Sequence, residues 1–199
     1  MVLTRQREDP RPAGTRRERL RTKAVDEILT AARSLLGPDA PGSITVRAVA
    51  RAVGMTPAAL YRYFPCREDL LSDVCVRLYD EARTSIEAAR DTAGADPAAR
   101  LRAAGRELRR WALAHPAEFE LMVGPSGQAS EARVRAVARF AETFADAGCW
   151  ARLCGLVTLE VFGHLRSVAG DGGPSIFEAE LSALCASRET AAGPDGRGT

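Results

Sequence analysis

Residues 44–71 read ITVRAVARAVGMTPAALYRYFPCREDLL, and two short helical patterns lie within them. In the first, Val46, Val49, Ala50 and Val53 recur at helical spacing while Arg47 and Arg51 share another face. Gly54 then offers the positive φ that a sharp turn between helices needs. Thr56 caps the second helix, and Pro57 takes its first position, where a missing N–H costs nothing. Ala58, Ala59 and Leu60 follow, then Tyr61, Arg62, Tyr63 and Phe64. This is the pattern of a helix-turn-helix whose second helix enters a DNA major groove. An ordinary helical hairpin is the alternative, since Gly turns join helices in many proteins. Two details weigh against it. A core helix has no use for an exposed cluster of Tyr61, Arg62 and Tyr63 directly after its cap, whereas phosphate contacts do. Arg67 also opposes the dipole of the next helix, which suits a phosphate at that helix end.

The stretch resembles the DNA-binding domain of the TetR family of bacterial transcription regulators. Thr45, the VRAVARAVGMT core, the Leu60-Tyr61 and Tyr63-Phe64 pairs and the run Arg67 to Leu70 carry the resemblance, which extends over about residues 15 to 75. Tyr63 stands where His is frequent in the family, and Cys66 replaces the usual cap of the following helix. The resemblance implies that Thr45 and Tyr61 contact phosphates, with Arg67 at a further phosphate. It also puts Arg47 and Thr56, Pro57, Ala58 and Ala59 at or near bases, with Arg62 and Tyr63 beside them.

Composition sets the frame around this domain. The chain has 199 residues and a formal net charge of +2, enough for one small domain and one of ordinary size. Through Arg67 there are 13 basic and 6 acidic residues, and beyond it 15 basic and 20 acidic. A basic end on an acidic body fits a DNA reader joined to something that does not touch DNA. No apolar run approaches the roughly 18 residues of a membrane span, and the Arg-rich start lacks a signal-peptide core. A cytoplasmic protein is expected. The five cysteines show no C-x-x-C pair, so neither disulfides nor a zinc site is expected. No catalytic or phosphate-loop motif accompanies the two histidines, His115 and His164. A Cys-His pair of Cys149 or Cys154 with His164 is conceivable, but nothing favours it. No enzyme, cofactor or metal is expected.

In chain order, residues 1–14 read as an Arg-rich disordered arm, 15–66 as the helix-turn-helix domain, 67–187 as a ligand-binding and dimerisation domain, and 188–199 as a flexible tail. Helix 1 starts near Thr15, with Leu20, Ala24, Ile28, Ala31, Leu35 and Leu36 on or near its buried face, and stops at Gly37-Pro38. Later helices are expected over about 67–89, from Pro97 to His115, and over 117–123, 130–147, 149–168 and 175–187. With no period-2 pattern, the fold is all-α.

Trp111, His115-Pro116, Phe119, Leu121-Met122 and Gly124 resemble a ligand-binding C-terminal domain named for Trp, His and Gly, found among TetR-type regulators. Packing and capping account for these residues better than direct ligand contact does. Tyr79, Trp111, Phe119, Met122, Phe140, Phe144 and Phe162 give the body most of its aromatic surface, and an apolar effector cavity is expected among them. A filled core uses the same residues. The helix from Cys149 is apolar on more than one face. Trp150, Leu153, Leu156, Leu159 and Phe162, with Ile176, Phe177, Leu181 and Leu184 of the last helix, are the expected seam of a two-fold, four-helix dimer interface. These readings make the chain a homodimeric repressor, released from an operator by a small hydrophobic molecule. A helical sensor without specific DNA binding is the alternative.

Overall fold

The computed structural model describes residues 15–37, 42–124 and 130–191. The expected arm, most of the expected tail, and the Pro38 and Pro125 turns lie outside them. Among the described residues every regular element is helical: α1 (Arg16–Ser34), α2 (Val46–Ala52), α3 (Pro57–Tyr61), α4 (Arg67–Thr92), α5 (Pro97–Ala114), α6 (Pro116–Val123), α7 (Glu131–Ala141), α8 (Ala147–Val161), α9 (His164–Ala169) and α10 (Gly173–Ala191). A 3-10 turn, Gly170–Gly172, precedes α10.

The chain caps these helices as its sequence directs. Thr15 and Glu18 form a reciprocal capping box at α1. Thr45, Thr56, Asp96, Ser130 and Asp146 each accept a backbone N–H in the first turn that follows. Cys66 does the same at α4 with its sulfur, 3.4 Å from the Asp69 nitrogen, a weaker acceptor than the oxygen it replaces. The turn between α2 and α3 is made by Gly54 at φ 67°.

Ile28, Leu29 and Ala32 of α1 meet Ile44, Val49, Ala50 and Leu60 in a small three-helix core. Leu20 is 60% exposed and lies off that core. The long α4 continues from this domain into the body, where α5 and α7 pack along it. Helices α8 and α10 pack on the far side of α5. Arg33 of α1 braces the junction. It donates to both oxygens of Glu81 on α4 (2.5 and 3.2 Å) and to Glu118 on α6 (3.3 Å).

Three helix boundaries differ from expectation. The 130–147 helix ends at Ala141, because Asp146 caps a new helix instead. The 149–168 helix is two. Gly163 takes φ 75°, a left-handed conformation that breaks the helical run and starts α9. The last helix begins at Gly173 rather than after Pro174, since a proline in the first turn lacks only an N–H that would have no partner, and it runs on to Ala191, so residues 188–191 of the expected tail are helical.

Candidate functional site

Helices α2 and α3 present one continuous exposed face. Thr45, Arg47, Thr56, Pro57, Ala58, Tyr61 and Arg62 all lie on the exposed surface, and Tyr61 is 50% exposed. That face exists because the apolar residues of both helices point the other way. Val46, Val49 and Ala50 of α2 and Leu60 of α3 are buried. The Thr45 hydroxyl oxygen accepts from Ala48 N at 3.2 Å and the Thr56 oxygen from Ala59 N at 3.2 Å. Each hydroxyl keeps its proton, so each can cap its helix and donate to a phosphate together.

Three expected members of the site sit differently. Ala59 is half-buried. Tyr63 is half-buried too, packed against the core with the Arg21 guanidinium 5.6 Å from its ring centre, so it is not part of an exposed cluster. Arg67 is half-buried, and its Nε donates to the Ile44 carbonyl at 2.7 Å. The guanidinium thus ties the start of α4 to the entry of α2, a structural task beside any phosphate contact.

The sequence reading missed the flank of this face. Arg16, Arg17, Leu20 and Arg21 of α1 line an open groove of about 620 Å³ with Met55, Ala59, Arg62 and Tyr63. Arg16, Arg17 and Arg19 crowd the first turn of a helix, where cations oppose the dipole. The run Arg16-Arg17-Glu18-Arg19 was the available signal. An anion in this groove would relieve the opposition.

In the body, six of the seven expected cavity residues are closely packed. Tyr79, Trp111, Phe119, Met122, Phe140 and Phe144 are 1–5% exposed. Tyr79 and Phe140 meet edge-on at 5.3 Å, Phe140 and Phe144 at 5.8 Å. Phe162 is not among them. It caps α8, is 38% exposed and faces the His164 ring. His115 ends α5, begins α6 and lies against Trp111 with ring centres 5.0 Å apart. At Gly124, which ends α6, a Cβ would meet the Glu120 carbonyl oxygen at 2.6 Å. Burial pushes the Cys75 and Cys154 thiols up to about 11, so both stay protonated at neutral pH and are poor nucleophiles.

The expected seam divides into two faces. Leu153, Phe177, Leu181 and Leu184 are 0–5% exposed, buried within the chain where α8 and α10 pack on α5. They are not available to a second copy. Trp150 and Leu156 are half-buried. Leu159, Phe162 and Ile176 are 42%, 38% and 38% exposed. With the exposed Ala151 and Gly155, Leu159 and Phe162 form an apolar, small-residue stripe along α8, and Ile176, Ala179 and Ala183 form its counterpart on α10. Arg102, Arg106, Arg109 and Arg110 of α5 lie among carboxylates and do not form an anion patch. Arg109 pairs with Glu160, Arg106 with Glu178 and Arg110 with Glu107, while Arg102 lies near Glu178.

A tight two-helix turn with a polar outer face, joined by a long helix to an all-helical body, is a helix-turn-helix domain set on a helical body. Residues 28–74 match the family model described as bacterial regulatory proteins, tetR family, and residues 101–184 the one described as tetracyclin repressor-like, C-terminal domain. The chain belongs to the TetR family, whose members are transcription regulators and not enzymes. It is 35% identical over 109 residues to the HTH-type transcriptional regulator Rv1816 of Mycobacterium tuberculosis (strain ATCC 25618 / H37Rv), covering 54% of this chain and 45% of that protein. The chain thus spans about half the length of the curated relatives it matches. Among solved structures, that of SCO4313 aligns with TM-score 0.67 at 27% identity, over 85% of this chain and 98% of that one. A TetR variant of Acinetobacter baumannii AYE, in complex with minocycline, aligns with TM-score 0.57 at 20% identity, over 84% and 97%, and shares the fold. No helix among the described residues is long and apolar enough to cross a membrane.

Proposed function

We propose that the protein is a ligand-responsive repressor that binds a palindromic operator as a homodimer. Its helix-turn-helix domain is residues 15–66, its ligand-binding and dimerisation domain residues 67–187, and its place of action the cytoplasm, where the DNA is. Each subunit inserts α3 into a major groove, the two copies about 34–36 Å apart. The observation that carries this reading is the exposed face of Thr45, Arg47, Thr56, Pro57, Ala58, Tyr61 and Arg62, flanked by the arginines of α1.

The effector is a small, largely apolar molecule bound in the body, among the aromatic residues between α4 and the helices after it. The minocycline complex of the Acinetobacter protein supports the general point that a body of this fold admits a small molecule. The finer assignment, to the type named for Trp, His and Gly, rests on Trp111, His115 and Gly124. Their packing around the α5–α6 corner supports it. Because Glu118 of α6 pairs with Arg33 of α1, a ligand that moves α6 also biases the DNA-binding domain.

Titrations of the full chain against an inverted-repeat duplex, selected from random DNA, and against a scrambled duplex at fixed salt test this reading. Tyr61→Ala should weaken binding to both duplexes alike, as loss of a phosphate contact does. Arg47→Ala should cost about 1–3 kcal/mol on the selected duplex and little on the scrambled one, if the contact is bidentate to guanine. Equal losses on both would remove Arg47 from the base readers. Should selection yield no preferred duplex, the chain is a helical sensor and the repressor reading fails.

A further inference from the structure

Arg133, in the first turn of α7, is the one charged side chain among the described residues that is buried, at 6% exposure. One terminal nitrogen of its guanidinium donates to the Leu121 carbonyl at 3.3 Å and to the Met122 carbonyl at 3.1 Å. Among the described residues, no carboxylate lies within ion-pair distance, and the remaining N–H groups of the guanidinium have no protein acceptor, although none of them is fully shut off from solvent. Other arginines of the body, less buried, do better. Arg109 faces Glu160 at 2.5 Å and Arg106 faces Glu178 at 2.8 Å. A buried cation without a counter-charge is costly, and the partial negative charge at the end of an eight-residue helix offsets only part of that cost.

Capping α6 does not explain this cation, because both carbonyls have a second donor. The Cys75 thiol donates to Leu121 O at 3.4 Å, and the Tyr79 hydroxyl donates to Met122 O at 2.7 Å. If the guanidinium swung away, neither carbonyl would be left unpaired. Arg133 is therefore dispensable to α6 as a donor and uncompensated as a charge. Buried beside it are Cys75 and Tyr79 of α4 and Leu121 and Met122 of α6, with Ala136 one turn further along α7, and the paired hydroxyls of Ser72 and Ser130 lie at the start of that helix.

We infer that Arg133 is the anion-recognition residue of the effector site, and that the effector is an apolar molecule carrying a single carboxylate. This rests on the ligand-responsive reading above and narrows it to a chemical class. The planar fork of a guanidinium matches a carboxylate through two parallel hydrogen bonds. One buried cation balances one negative charge, which disfavours a dianionic phosphate. The apolar walls accept only an apolar remainder. A ligand seated on the guanidinium also lies against the C-terminal end of α6. The other end of that helix is tied through Glu118 to Arg33 and the DNA-binding domain.

The test uses the full chain with decanoate and naphthoate, each compared with its primary amide. Thermal shift and isothermal titration read binding without reference to DNA, and competition with the selected duplex reads release. Both acids should bind, stabilise the protein and release the duplex, and both amides should do so far more weakly. Arg133→Met should weaken binding of the acids by about tenfold to a hundredfold and leave the amides unaffected. Arg133→Lys, which keeps the charge without the fork, should fall between, and circular dichroism verifies that both variants are folded. If acid and amide bind alike, or Arg133→Met binds the acids as the wild type does, the inference is overturned while the ligand-responsive reading stands. If neutral compounds alone release the duplex, the inference also falls. If no small molecule of either class binds or releases, both fall together.

Discussion

Leu159→Arg is expected to turn the protein into a soluble monomer whose operator affinity is lower by about two to four orders of magnitude, the gain that linking two binding modules supplies. Leu159 is 42% exposed and lies between Gly155 and Phe162 on the outer stripe of α8. The inner face of the same helix, Cys149, Leu153 and Val157, is already buried against its own chain. A charge at Leu159 therefore leaves the subunit core untouched, but in a two-fold seam it would face its own copy in low dielectric. Val134→Arg is the control, because Val134 is 57% exposed on α7 and lies outside the proposed seam. It should change neither mass nor affinity. Light scattering coupled to size exclusion gives the mass, and titration of the inverted-repeat duplex gives the affinity. A wild type that runs as a monomer at micromolar concentration yet binds the palindrome tightly would remove α8 and α10 as the interface.

The DNA-binding end was legible because its signals are local. Thr45, Thr56 and Pro57 act on helix starts within three residues, and a Gly turn between two apolar periodicities leaves little freedom in how α2 and α3 meet. The body was harder to read. In α8 the sequence displays apolar residues all round, and periodicity alone does not say which face meets α5 and α10 and which faces outward. Leu153 and Leu159 are the same residue type in one helix, yet only the first is buried. Tyr63 and Arg67 sit deeper than their residue types suggest, for a related reason. Both carry polar groups suited to DNA, and both are drawn partly inward by partners distant in sequence, Arg21 and the Ile44 carbonyl. Arg133 gave no sign at all, since one Arg among many on an amphipathic helix reads as solvated surface. Only the packing of α6 against α4 and α7 makes it a buried charge.

Phe140→Ala should destabilise the chain by about 3–5 kcal/mol, a large share of the roughly 5–15 kcal/mol by which a folded chain is stable. Phe140 is 1% exposed and meets Tyr79 and Phe144 edge-on, so truncation removes contacts on two sides at the interface of α7 with α4. Helices α4 and α7 are both capped and cannot slide easily to close the gap. For a chain of this size the loss corresponds to a fall in Tm of about 6–20 °C, and urea titration should move the midpoint at unchanged slope. Phe162→Ala, at a position 38% exposed, should stay within about 0.5 kcal/mol for the isolated subunit, its effect appearing in dimerisation instead. The pair decides what the aromatic cluster is. In a filled core Phe140 is irreplaceable, and an effector gains entry only by displacing side chains. In a pre-formed cavity, one wall of Phe140 already faces empty space, and its removal forfeits fewer contacts. A Phe140→Ala loss below about 1 kcal/mol would therefore mean that the body holds an open apolar chamber in solution. A loss in the full range means that the effector site opens only as the ligand binds, with affinity reduced by the cost of opening it.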